Sequence, residues 1–239
     1  GLRKFTATAW IWALFAAFVV SAALINGVIV TPLTGTRKII LLIIAALVAA
    51  ALLPRILPDR NLQRGAVAVL CLLALSWVFW AVVARMPPGA IALFVAGCVA
   101  LVACLTLSFD RLAHDPAKLQ GASLGLLIGV GLSATAAASA LLGQLALALA
   151  AGCGGALLAW VLTGSLRDST PAGKTLTTLP YVLAPATLGV AAVVFARLPW
   201  YALIPLAAIP FTVSQVPLKS ESRFLRAMVA SLPGLVIAA

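Results

Sequence analysis

Charge is what this sequence has least of. Of its 239 residues only 16 are Lys or Arg, 5 are Asp or Glu and 1 is His, so charged residues make up 9%, against about 25% in a soluble domain. With 64% hydrophobic residues and a mean hydropathy of +1.19, too little polar surface exists to coat a soluble globule of this size. The lone His114 leaves no set of imidazoles for haem or zinc. The four cysteines, Cys71, Cys98, Cys104 and Cys153, all lie in apolar runs with no CxxC pair, and they read as small buried hydrophobes. Neither a metal nor another cofactor is expected, and no catalytic constellation stands out.

The net charge of +11 would point a soluble chain towards nucleic acid. Here the basic residues sit singly or in small groups between apolar runs, which is the pattern of topology control in a membrane protein, and nucleic acid is not an expected partner. Glycine (18) and proline (14) fall inside the apolar runs, where packed membrane helices tolerate them.

A spanning helix needs about 20 mostly apolar residues. Such runs are predicted at 9–30, 37–53, 65–84, 90–109, 121–142, 144–164, 180–196, 200–217 and 226–239. The stretch 121–164 exceeds one helix and is divided near Ser139–Gln144. The first run is too long for the apolar core of a signal peptide. The chain opens on Gly1 and stops at Ala239 within an apolar run, and either end reads as trimmed from something longer.

With a cytoplasmic N-terminus, Arg3, Lys4, Arg55, Arg60, Arg64, Arg111, Lys118, Arg167, Lys174, Lys219, Arg223 and Arg226 fall inside. Only Arg37, Lys38, Arg85 and Arg197 fall outside. This bias fixes the expected orientation. All five acids, Asp59, Asp110, Asp115, Asp168 and Glu221, also fall in the inner loops. Trp10, Trp12, Trp160 and Tyr181 near inner ends, and Trp80, Trp200 and Tyr201 near outer ends, read as interfacial belts. Trp77, two turns further in, is expected to pack.

The expected fold is therefore all-α: a polytopic bundle of eight or nine spanning helices forming one transmembrane domain over 1–239. A weak repeat, Ala84-Arg85-Met86-Pro87 against Ala196-Arg197-Leu198-Pro199, allows a parallel duplication of a four-helix unit, with halves 1–118 and 119–226 and a short last helix 226–239.

The span cores contain no Asp, Glu, Lys, Arg or His, which disfavours proton relays and ion paths. Gly121, Gly125 and Gly129 recur at four-residue intervals on one helix face and are expected to pack closely against the following helix. The run 200–217 contains Pro205 and Pro210, which break a helix's hydrogen bonding, beside Thr212, Ser214 and Gln215. These five form a candidate substrate-binding element. Asn26, Gln144 and Gln215 are expected to bond across helices. Asp110, Arg111, His114 and Asp115 form a candidate polar cluster at the inner face, suited to a lipid phosphate.

Nine spans, an inner N-terminus, two four-helix halves, inner loops after the second and sixth helices and the stretch Asp168-Ser-Thr-Pro-Ala-Gly173-Lys174-Thr175 resemble the intramembrane prenyltransferases. The resemblance implies two aspartate-rich motifs holding a magnesium diphosphate. The matching loops here offer only Asp59 and Asp168, too few carboxylates for the metal, so the likeness is one of topology and implies no membership.

The expected function is transport or export of an apolar or weakly polar molecule. The alternatives are a non-catalytic scaffold or subunit within a larger assembly or chain, and an inner-face enzyme acting on a lipid phosphate through Arg111, His114 and Asp115. The expected partners are the lipid bilayer and other membrane subunits or further domains. The expected location is a bacterial inner (plasma) membrane.

Overall fold

A computed structural model describes residues 16, 18–20, 23, 34–52, 54, 56–57, 59–137, 139–163 and 175–215. Its helices are α1 (Gly35–Leu52), α2 (Arg60–Val83), α3 (Pro88–Leu112), α4 (Pro116–Ala136), α5 (Ala140–Thr163), α6 (Leu179–Ala196) and α7 (Leu203–Gln215), with 3-10 turns at Thr175–Thr178 and Trp200–Ala202. No strand occurs among the described residues. The run 226–239 lies outside them, as does the run 9–30 except for residues 16, 18–20 and 23, which are helical.

Local chemistry sets the helix starts. The Asp59 carboxylate accepts the Asn61 N–H at 3.0 Å, and Asp115 accepts from Ala117 at 3.1 Å and Lys118 at 3.3 Å. Both are N-caps that satisfy otherwise orphaned amides. Pro88, Pro116 and Pro180 stand in the first turns of α3, α4 and α6, where a missing N–H costs nothing. The Asp59 cap starts α2 at Arg60, ahead of its apolar run, and α3 continues past its own run through Asp110 and Arg111. The break in 121–164 falls at Ala137–Ser139, ahead of Gly143-Gln144, which continue inside α5.

Helices α1 to α6 each supply a segment long and apolar enough to cross a bilayer, and the chain is accordingly a multi-pass integral membrane protein. Within the described residues the run 200–217 is a 3-10 turn followed by the 13 residues of α7.

Helices α4 and α6 occupy the middle of the bundle. The first four turns of α6, Leu179 to Ala192, are buried without interruption. Helix α2 is two-sided: Val67, Cys71, Ala74 and Val78 face inward, while Leu62, Val69, Leu73, Trp77 and Trp80 are exposed. That outward stripe would be a liability in water but is compatible with lipid tails as its solvent.

Two layers of contacts fix the ends of the bundle. At one end, Phe79 lies 6.1 Å from Phe94 and 5.8 Å from Phe195 by ring centroids. Trp77 is exposed here rather than packed, and Lys38 lies 5.2 Å over its ring. The other end gathers the starts of α2, α4 and α6 and the finish of α3.

The repeated tetrapeptides both close a helix and place a proline as the N-cap of the next helical segment. Their backbones differ: Ala84 closes α2 in the right-handed region, whereas Arg197 closes α6 with φ 58°, the left-handed form that usually takes glycine.

Candidate functional site

The concentration of polar side chains at the Asp110 end makes it the candidate site. Asp110 stands in the last turn of α3, with its side chain only 2% exposed. An isolated carboxylate there would be too costly to keep ionised. Two arginines one turn apart in α2 compensate it. Arg60 donates Nε to Oδ1 at 3.3 Å and Nη2 to Oδ2 at 3.0 Å. Arg64 donates Nε to Oδ2 at 2.8 Å, and its Nη2 bonds the same oxygen. Arg60 Nη2 also reaches the Asp110 carbonyl at 3.4 Å. These are charge-assisted, forked contacts. They lie on the inward face of α2, in line with Val67, Cys71 and Val78.

A second polar layer lies where α3, α4 and α6 meet. Gln120 of α4 donates Nε2 to the Tyr181 hydroxyl at 2.6 Å, and the Tyr181 ring lies 6.3 Å from that of Phe109. Gln120 Oε1 is buried without a partner, as is the Thr106 hydroxyl in α3. The 3-10 turn Thr175–Thr178 packs against α1, α2, α3 and α6 at this end.

The four residues expected to form the inner-face cluster have separate roles. Asp110 is the buried acceptor of the arginine pair. Arg111 is exposed and lies 5.9 Å over the Phe211 ring of α7. His114 is exposed. The Asp115 carboxylate caps α4.

The five residues of the substrate-binding element do not share one surface. Pro210 is buried, Ser214 is half-buried, and Pro205, Thr212 and Gln215 are exposed. The Thr212 hydroxyl donates to the Ile209 carbonyl at 2.8 Å and Ser214 to Phe211 at 2.6 Å, so both serve their own helix. Cys104 of α3 reaches across to the Ala207 carbonyl at 3.8 Å, just ahead of Pro210.

Gly121, Gly125 and Gly129 are buried in α4, which packs more extensively on α5 than on any other helix. The closest backbone approach described in this hairpin is two residues further along. A Cβ on Gly143 would stand 3.0 Å from the Gly131 carbonyl oxygen and collide with the Thr135 hydroxyl. Gln144 and Gln215, expected to bond across helices, are exposed instead. Asn26 lies outside the described residues.

Sequence reasoning missed Arg60, Arg64, Gln120 and Tyr181 as site residues. The arginines were assigned to topology and Tyr181 to an aromatic belt, although it is buried. One signal was available: Arg60 and Arg64 are four apart, and so share a helix face.

Among the described residues no group of three His, Cys, Asp or Glu gathers to hold a metal ion. No family model matches the chain, and no curated protein and no solved structure matches it either.

Proposed function

We propose that this multi-pass protein is a transport or export component of a bacterial inner membrane, moving an apolar or weakly polar molecule past the α3–α4–α7 contact. The observation that carries this reading is the proline-bearing α7. Pro210 cannot donate to the Leu206 carbonyl, and it is buried where α7 leans on α3 and α4. Interruptions of helix hydrogen bonding at membrane depth are characteristic of transporters. Pro185, buried in the central α6, adds a second weak point. The absence of ionisable side chains from the middle of the six spans suits an uncharged cargo. The proposed duplication, 1–118 and 119–226, would place such a path between its halves.

The full chain, reconstituted alone in phosphatidylcholine liposomes, tests this with an NBD-labelled glucosylceramide as an uncharged amphiphile. Dithionite quenching reports its transfer between leaflets. The expected result is protein-dependent transfer that Pro210→Ala slows. Transfer equal to that of empty liposomes overturns the reading for this cargo class.

The second reading is a non-catalytic scaffold or subunit. It is favoured by the engagement of Thr212 and Ser214 with their own helix, which leaves α7 few polar groups for a cargo.

A further inference from the structure

We infer that Arg60 and Arg64 form a binding site for one phosphate-type anion at the Asp110 end of the bundle. Two guanidinium groups converge on a single carboxylate, and both use Oδ2. The trio therefore holds a net charge of +1. The carboxylate is engulfed at 2% exposed, but the arginine side chains remain 42% and 38% exposed. The buried face of the fork is satisfied and the outer face is open. Arg60 directs Nε and Nη2 inward, and its Nη1 has no acceptor among the described residues. Among the described residues Arg64 Nη1 has only a long contact, 3.4 Å, to Asn61.

The two other described acids of this end are not part of the trio. Asp59 and Asp115 are turned to the first amides of α2 and α4. The shared carboxylate fixes the arginines in orientation, so an incoming anion meets donors already ordered. Planar forks of this kind match phosphate oxygens. The surroundings suit an amphiphile: Ile56 and Leu62, on either side of Arg60 in the chain, are exposed apolar residues. The same donors would accept free phosphate, and the test separates the two sources.

The full chain is purified in a neutral detergent and mixed with phosphatidylglycerol, phosphatidylcholine or inorganic phosphate. Binding is read by native mass spectrometry and by thermal stability. One phosphatidylglycerol is expected to be retained in preference to phosphatidylcholine. Arg60→Gln is expected to weaken it roughly fivefold, the scale of one interfacial cation. Arg60→Lys keeps the charge, guards against misfolding and is expected to lose less. Stabilisation by inorganic phosphate with the same Arg60 dependence identifies a free anion as the ligand and supports the site. The inference is overturned by equal retention of the two lipids without a phosphate effect. It is equally overturned by anion binding that folded Arg60→Gln and Arg60→Lys leave unchanged.

Discussion

Gln120 and Tyr181 share a hydrogen bond of 2.6 Å between the N-terminal parts of α4 and α6, the two helices at the middle of the bundle. Both side chains are buried, and the remaining Gln120 oxygen has no partner. The contact is thus a single polar tie in an apolar setting, holding the central helices in register beside the Phe109 ring.

Removing half of that tie strands the other half. Tyr181→Phe leaves the Gln120 amide without its acceptor, and a buried unsatisfied group costs about 1–3 kcal/mol. Thermal unfolding in detergent should show this loss. Pairing Tyr181→Phe with Gln120→Leu should recover much of it, because an apolar pair leaves nothing unsatisfied.

Asp110→Ala should be more damaging than the loss of either arginine, because it leaves two cations together without their anion. Breaking a fully buried pair costs about 3–5 kcal/mol. The arginines are more than a third exposed, so solvent screening lowers the expectation to roughly 2 kcal/mol. Arg60→Ala leaves Asp110 bonded to Arg64 and should cost less. Comparing the unfolding midpoints of the two variants decides the order.

The α4–α5 hairpin should respond to added bulk at one glycine and not at another. At Gly143 a methyl group meets the Thr135 hydroxyl and the Gly131 carbonyl, and at Gly155 it meets nothing within 4 Å. Gly143→Ala should destabilise by about 1–3 kcal/mol, the range for overpacking. Gly155→Ala should be neutral or slightly stabilising. Unfolding midpoints of the two variants provide an internal control.

Arg85 lies just before α3 and Arg111 in its last turn, and basic residues dominate the Arg111 end. Single cysteines at these positions should be labelled by a membrane-impermeant thiol reagent from opposite sides, with Arg85→Cys reached from outside. The native cysteines are buried or half-buried and should add little background. Labelling of both positions from one side would contradict the described fold.

Much of the fold was legible because a bilayer imposes a simple rule. Apolar runs of spanning length announced α1 to α6 within a few residues. Their extensions were not legible from hydropathy: Asp110 was placed in a loop because charge ends an apolar run, whereas hydrogen bonding lets α3 continue one turn further. The site was less readable still. Arg60 and Arg64 looked like topology signals because a one-dimensional pattern does not show which residue a long side chain will meet 46 or 50 positions away.

By itself the sequence determined the solvent: with so few charges and so many long apolar runs, these segments form helices that satisfy their backbones internally within hydrocarbon. Only the tertiary structure decided which polar groups would meet. The pairing of Asp110 with two arginines, and of Gln120 with Tyr181, depends on how α2, α3, α4 and α6 rotate and slide against one another. That rotation and offset is set by side-chain packing across helices, a property of the assembled bundle that no single run of residues contains.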